Sequence, residues 1–195
     1  MLIVTGPQGS GNHLYSKILS SHPEVYGWRM KSYWEGHHEE PFNSYWQEPD
    51  LLKTFDWSQS QYYFTSISCP YFKNKKPNIP KYKDFIKHAS EYCKIKIAII
   101  GRDKNILNLQ QKRVRKMSTL DLALENFEYL YQYDPLFISQ ELYQLYGNHY
   151  LQSLSKILDF PISEQQTTSD ANTKYITDIG AQPLDNEVYK ANNSS

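Results

Sequence analysis

The sequence predicts an α/β fold in which a central parallel sheet of about five strands is flanked by helices. Five short apolar segments are separated by segments whose apolar residues recur at helical spacing, which is typical of a parallel sheet covered on both faces. The chain has 195 residues, enough to bury a core without disulfides. We therefore expect one domain over residues 1–195, with a polar, irregular tail from about residue 163.

The predicted strands are residues 2–5, 25–28, 62–68, 96–100 and 136–138. Residues 96–100 read KIAII, and a nearly continuous apolar run is expected for a strand buried on both faces.

The predicted helices alternate with these strands. Three of them cover residues 12–20, 106–116 and 142–158. Another begins at a cap formed by Ser118 or Thr119 and ends at Asp134-Pro135. Residues 29–61 and 70–82 are long insertions, which in such folds usually lie over the carboxyl ends of the strands, where ligands bind.

Composition narrows the range of partners. Lysine plus arginine balance aspartate plus glutamate at 21 each, whereas a duplex nucleic-acid binder normally carries a basic excess, so we expect no nucleic-acid partner. Cys69 and Cys93 are too few for a disulfide framework and are interpreted as free thiols. No signal peptide or membrane span is recognisable, which predicts a cytoplasmic protein without a membrane partner.

Residues 6–13, GPQGSGNH, follow the first strand with the spacing G-x-x-x-x-G. Glycines at positions 6, 9 and 11 let backbone N–H groups face an anion, and the following helix adds its positive end. A nucleotide-triphosphate loop continues with Lys and Ser or Thr, and Asn12 and His13 stand there instead. Magnesium-dependent kinase or NTPase chemistry is therefore disfavoured. A glycine-rich turn without a ligand is the alternative, but the position after the first strand favours anion binding.

The segment GPQGSGNHLYSKILSSHPEVYGW resembles the 5′-phosphosulfate loop, first helix and second strand of the sulfotransferase family. The resemblance implies a three-layer P-loop fold of the nucleoside-triphosphate-hydrolase type. It also implies 3′-phosphoadenosine 5′-phosphosulfate (PAPS) as sulfuryl donor, with no metal required. The donor's 5′-phosphosulfate would lie on Gly9, Ser10, Gly11, Asn12 and His13. The basic residue of the family's loop falls on Gly9, and His13 or Lys17 is a candidate to compensate.

A second resemblance follows the fourth strand. In the family's 3′-phosphate motif, Arg and then Asp or Asn precede a helix with Ser eight places after the Arg. Arg102 and Asp103 match this motif, and Gln110 stands at the Ser position. On a regular helix Arg113 shares a face with Gln110 and adds charge. Lys174 is the candidate for the basic C-terminal loop that the family places over the same phosphate.

A third resemblance lies in residues 134–142 and 151–162. There Gln140-Glu141-Leu142 is similar to the family's Tyr-Glu-Asp-Leu-like turn. This motif is structural, and with it the resemblance covers roughly residues 1–162.

Sulfuryl transfer requires a base that deprotonates the acceptor. The segment after the third strand, where cytosolic members carry a His, has neither His nor carboxylate. Heparan-type members use a Glu soon after the second strand, and the comparable stretch here is WEGHHEEP. It offers the candidates Glu35, His37, His38, Glu39 and Glu40, of which His38 and Glu40 are favoured. A solvated acidic loop is an equal alternative, and a metal site is a weaker one.

Several aromatic residues surround this stretch. They are candidates to pack on a sugar or phenol acceptor, although most of them are expected simply to pack under a long loop. These residues are Trp28, Tyr33, Trp34, Phe42, Tyr45 and Trp46.

The sequence thus predicts a sulfotransferase that acts on a hydroxyl of a carbohydrate or small molecule. A non-catalytic nucleotide- or anion-binding module of the same fold is the alternative, and a divergent nucleotide kinase is a weaker one. The oligomeric state is left open, with a homodimer as one option.

Overall fold

A computed structural model describes residues 1–27, 40–73 and 76–163, and it confirms the α/β class. The sheet consists of β1 (Leu2–Pro7), β2 (Val25–Tyr26), β3 (Tyr62–Cys69), β6 (Lys96–Gly101) and β7 (Leu136–Ser139). Its order is β2-β3-β1-β6-β7, and all four neighbouring pairs are parallel. A separate antiparallel hairpin is formed by β4 (Tyr71–Lys73) and β5 (Lys76–Asn78).

The helices of the described segments flank this sheet. They are α1 (Asn12–Leu19), α2 (Tyr82–Ser90), α3 (Lys104–Arg115), α4 (Leu120–Phe127), α5 (Gln140–Tyr146) and α6 (Asn148–Leu158). Two 3₁₀ helices cover Pro49–Thr54 and Glu128–Tyr133.

The prediction of one helix over residues 142–158 is wrong. Gly147 adopts φ 51° and ψ −124°, a backbone conformation outside the helical region, and it separates α5 from α6. The leucines continue at helical spacing on both sides of this break, which is why the pattern suggested a single helix.

The two faces of the sheet carry separate hydrophobic cores because side chains alternate along each strand. Leu2 and Val4 of β1 face the core built with α1 and α6, where Ile18 and Leu154 are buried. Ile3 faces the opposite core, which contains Phe42, Trp46 and Phe85. There Trp46 stacks on Phe85 with ring centroids 3.8 Å apart.

The topology determines where a ligand can bind. From β1 the chain runs through α1 to β2 on one side of the sheet, and it later returns to β6 on the other side of β1. In open α/β sheets such a reversal opens a crevice at the carboxyl ends of the strands. The loop of residues 8–11 lies at this point. No helix in the described segments is long and apolar enough to cross a membrane.

Candidate anion-binding site

The loop between β1 and α1 depends on two glycines with positive φ. Gly9 has φ 87° and Gly11 has φ 108°, values that favour residues without a Cβ. The Ser10 N–H donates to the Pro7 carbonyl at 3.1 Å and closes the turn. Gly11 is the N-cap of α1 and, as a glycine, has no side chain to cap this end of the helix. The positive end of α1 is therefore directed at the carboxyl end of the sheet.

Ser10 of the loop and Asn12, the first residue of α1, are buried, and their side chains serve mainly to fix the shape of the loop. Asn12 Nδ2 lies 3.0 Å from Ser68 Oγ and 3.3 Å from the Gly6 carbonyl, so it ties the loop to β3 and to β1. A Cβ on Gly6 would lie 2.3 Å from Ser10 Oγ, so that position also requires glycine. The side chains of Asn12 and Ser10 are thus engaged in holding the loop together. Asn12 Oδ1 has no hydrogen-bond partner among the described residues.

Arg102 reaches the loop from the carboxyl end of β6. Its Nη1 donates to the Gly9 carbonyl at 2.8 Å and to Gln110 Oε1 at 3.2 Å. A Cβ on Gly9 would lie 2.8 Å from Gln110 Oε1, so the space of a side chain at position 9 is already occupied. Arg102 Nε is buried and has no partner in the part of the chain that the structure describes. The guanidinium therefore has a donor available for a ligand at the loop.

A fully buried glutamine holds the loop from α3. Gln111 Nε2 donates to the Gln8 carbonyl at 2.7 Å, and Gln111 Oε1 accepts the Thr119 N–H at 2.7 Å. Gln8 Nε2 in turn donates to the Pro70 carbonyl at 2.6 Å. The loop is thereby fixed before any ligand binds. The sequence analysis missed both glutamines, because a lone Gln carries no motif.

Gln140 approaches the loop from the end of β7. Its side chain is 2% exposed, and neither Oε1 nor Nε2 has a hydrogen-bond partner within the described segments. A Cβ on Gly11 would lie 2.1 Å from Gln140 Oε1, so the carboxamide is packed directly on this glycine. Burying an amide without a hydrogen-bond partner lowers the free energy of unfolding by about 1–3 kcal/mol, so a functional role is expected for this side chain. The sequence analysis treated this turn as structural only.

Glu40 is 5% exposed, so the interpretation as a solvated loop is wrong for this residue. Neither carboxyl oxygen forms a hydrogen bond of good geometry with the described residues. Burial raises the pKa of Glu40 to about 8. The Thr65 hydroxyl and the backbone N–H groups of Phe42 and Ser66 are near enough to offset this rise only in part.

Glu40 and α1 lie against opposite faces of β3, because neighbouring residues of a strand face opposite sides of the sheet. The Thr65 hydroxyl near Glu40 accepts from Trp46 Nε1 on the side of the core that contains Ile3. Ser66 Oγ, one residue beyond Thr65, lies 2.5 Å from Ser16 Oγ, and Ser16 Oγ donates to the Asn12 carbonyl at 2.6 Å. Glu40 is therefore separated from α1 by the sheet, whereas Arg102 and Gln140 reach the loop from the ends of β6 and β7.

The remaining candidates divide into two groups. His13 lies half-buried in the first turn of α1, whereas Lys17 and Arg113 are exposed on α1 and α3. Phe42 and Trp46 are core residues rather than a platform for an acceptor, and Tyr45 is half-buried beside Phe42. The rest lie outside the described residues: Trp28, Tyr33, Trp34, Glu35, His37, His38, Glu39 and Lys174.

Comparison of the chain with protein-family models, curated proteins and solved structures gives no match. Backbone N–H groups, a helix N-terminus, a guanidinium and a carboxamide surround one loop, and this set of donors suits an oxyanion.

Proposed function

We propose that the protein is a sulfotransferase of the P-loop type, which transfers a sulfuryl group from PAPS to a hydroxyl of a carbohydrate or small molecule. One observation carries the proposal. Arg102 Nε and the Gln140 carboxamide are buried beside the loop without partners in the described segments, and the two anionic groups of the donor would satisfy them, the 3′-phosphate at Arg102 and the 5′-phosphosulfate at Gln140.

The residues present fit the donor. Backbone groups from Gly9 to His13 would hold its 5′-phosphosulfate, and Arg102 with Gln110 would hold its 3′-phosphate. When bound, the donor supplies an activated sulfuryl group. The loop has neither the Lys nor the Ser or Thr hydroxyl that Mg²⁺-nucleotide enzymes use at positions 12 and 13. This argues against the alternative of a nucleotide kinase.

Arg102 brings positive charge to a loop that has Gly9 where the family's loop has a basic residue. Its guanidinium touches the Gly9 carbonyl from β6, so positive charge reaches the loop although position 9 has no side chain. A planar guanidinium can still donate two parallel hydrogen bonds to a phosphate or sulfate oxygen pair.

Glu40 is our candidate for the general base. A carboxyl group with a pKa of about 8 is a stronger proton acceptor than an ordinary carboxylate, and it is still partly ionised at neutral pH. Glu40 would take the proton from the acceptor hydroxyl as the oxygen bonds to sulfur, while the bond from sulfur to the 5′-phosphate oxygen breaks and adenosine 3′,5′-bisphosphate leaves. His37 and His38 remain candidates from the sequence alone.

Calorimetric titration with adenosine 3′,5′-bisphosphate, the product nucleotide, and with ATP plus Mg²⁺ tests the proposal. We expect the bisphosphate to bind without Mg²⁺ and Arg102→Ala to weaken it by about 10- to 100-fold, the loss typical of a charge-assisted hydrogen bond. Lys112→Ala, on the exposed face of α3, is the matched control and should bind like the wild type. Preference for ATP plus Mg²⁺ would overturn the proposal. Binding without any sulfate transfer would favour the non-catalytic module.

A further inference from the structure

We propose that the Gln140 carboxamide is a ligand-binding group that donates a hydrogen bond to the oxyanion held at the N-terminus of α1. The identity of that oxyanion as the 5′-phosphosulfate of the donor rests on the proposed function. The role of Gln140 as an anion-binding residue rests on its own geometry.

The position of Gln140 is fixed by its neighbours. It is the first residue of α5, directly after β7, at the carboxyl edge of the parallel sheet. Ser139 caps α5 by accepting the Leu142 N–H at 3.2 Å. Glu141 accepts from the Asp103 N–H at 3.1 Å and from Ser139 Oγ at 3.0 Å. These bonds join the ends of β6 and β7, so the Gln140 backbone is held where Arg102 also enters the site.

The side chain is directed at the N-cap of α1. A Cβ on Gly11 would lie 2.1 Å from Gln140 Oε1 and 3.1 Å from Cδ, so the end of the side chain rests on Gly11 itself. The first-turn N–H groups of α1 follow this residue, and Gly11 has no side chain that could cap them. A bound oxyanion at these N–H groups therefore lies beside the carboxamide.

Packing alone does not account for a glutamine here. The side chain is 98% buried, yet both polar atoms are without partners among the described residues. Methionine has nearly the same shape and would fill the space without an unpaired polar group. Glutamine is the better residue only if its amide is paired in the functional state.

The chemistry of the carboxamide suits a sulfuryl or phosphoryl group. An unprotonated oxyanion offers only acceptors, so the Nε2 amide would donate, and rotation about χ3 brings it to the position of Oε1. The amide adds a donor without adding formal charge, which complements the guanidinium of Arg102 at the Gly9 carbonyl.

Two variants and a matched control test the inference. Gln140→Met removes the amide at constant shape, Gln140→Glu places a negative charge beside the anion, and Gln152→Met changes an exposed glutamine on α6. Each is titrated with adenosine 3′,5′-bisphosphate and with inorganic pyrophosphate, and the thermal unfolding midpoint of each unliganded protein is recorded.

We expect Gln140→Met to have an equal or higher unfolding midpoint than the wild type and to bind the bisphosphate about 10-fold more weakly. Gln140→Glu should bind more weakly still, and Gln152→Met should match the wild type. A Gln140→Met protein with unchanged affinity would overturn the inference and leave Gln140 with a packing role.

The pyrophosphate titration separates the two proposals. In one outcome the wild type binds pyrophosphate but not the bisphosphate, and Gln140→Met weakens the binding of pyrophosphate. This would support Gln140 as an anion-binding residue and contradict the sulfotransferase proposal. A wild type that binds neither probe would overturn both.

Discussion

At the scale of single residues, Glu40 couples stability to pH. Its folded-state pKa of about 8 lies above the ordinary value of 4.5, so the folded protein holds a proton that the unfolded chain releases between these values. Its contribution to stability is therefore fully present below about pH 4.5 and is lost as pH rises towards 8. Over the interval to pH 7 the loss amounts to about 3 kcal/mol.

Glu40→Gln, which cannot ionise, should remove this dependence. We expect the variant to be more stable than the wild type at pH 7–8 and to differ much less at pH 5. Chemical denaturation across pH 5–8 measures the difference, with the exposed Glu48→Gln as control. Parallel stability profiles of the wild type and Glu40→Gln would contradict the burial of an ionisable carboxyl group at this position.

The contact between Gly11 and Gln140 predicts a coupled pair. Gly11→Ala should destabilise by about 1–3 kcal/mol for the strain at φ 108°, and further because its Cβ meets Gln140 Oε1. Gln140→Ala opens that space, so the double variant should be more stable than the two single effects predict.

Gly147→Ala is the control for this cycle, since it shares the positive φ but has no atom within 4 Å of the new Cβ. Its effect should add to that of Gln140→Ala. The free energies of unfolding are measured by urea denaturation. If the effect of Gly11→Ala adds to that of Gln140→Ala as fully as the effect of Gly147→Ala does, Gln140 does not rest on Gly11.

The sequence could predict Glu40 but not Gln140, for a physical reason. Carboxylates and histidines that cluster in a sequence are candidate bases because they can change protonation state, and Glu40 is one of them. Its burial was not predictable, because it depends on how the insertion packs against Thr65. Gln140 is neutral, and its importance arises only where the end of β7 meets a loop about 130 residues earlier in the chain.

At the scale of elements, α3 carries the supports of the loop. Asp103 caps this helix, with Oδ1 accepting the N–H groups of Asn105 at 2.8 Å and Ile106 at 3.0 Å. Asp103→Ala should cost about 1 kcal/mol of stability. Because α3 positions Gln110 and Gln111 against the loop, affinity for the bisphosphate should fall as well.

Asp103→Ser keeps a capping oxygen and should restore most of both losses. Asp121→Ala, in the first turn of α4 but not at its N-cap, should change little. Thermal unfolding with and without the bisphosphate provides both readouts. If Asp103→Ala loses stability but binds the bisphosphate with unchanged affinity, the N-cap of α3 does not influence the loop.

The strands of the sheet were predictable because buried parallel strands are short apolar runs. The hairpin of β4 and β5 was not, since its sequence is rich in Lys and carries Pro77. Helix α2 was not predicted although its buried residues recur at helical spacing, because Tyr82 was assigned to the preceding insertion. Phe85 and Ile86 pack into the core on the side of Ile3 and stabilise that helix.

At the scale of the whole molecule, the candidate site is assembled from three distant parts of the chain. The loop after β1, the end of β6 and the end of β7 meet at one edge of the sheet. A ligand that pairs Arg102 and Gln140 links these parts and binds only the folded state. The bisphosphate at 100 times its Kd should therefore stabilise the protein by about 2.7 kcal/mol. Differential scanning calorimetry measures this gain, which Arg102→Ala should reduce. An unchanged melting transition at saturating bisphosphate would contradict the assembled site.

The most direct measurement is the transfer of labelled sulfate from PAPS to a panel of carbohydrate and phenolic hydroxyls in the presence of EDTA. We predict transfer that does not require divalent metal, rises with pH towards 8 as Glu40 ionises, and falls strongly in Arg102→Ala and Glu40→Gln. Donor binding without transfer to any acceptor, or transfer that Glu40→Gln leaves unchanged across this pH range, would contradict the proposed catalytic role of the site.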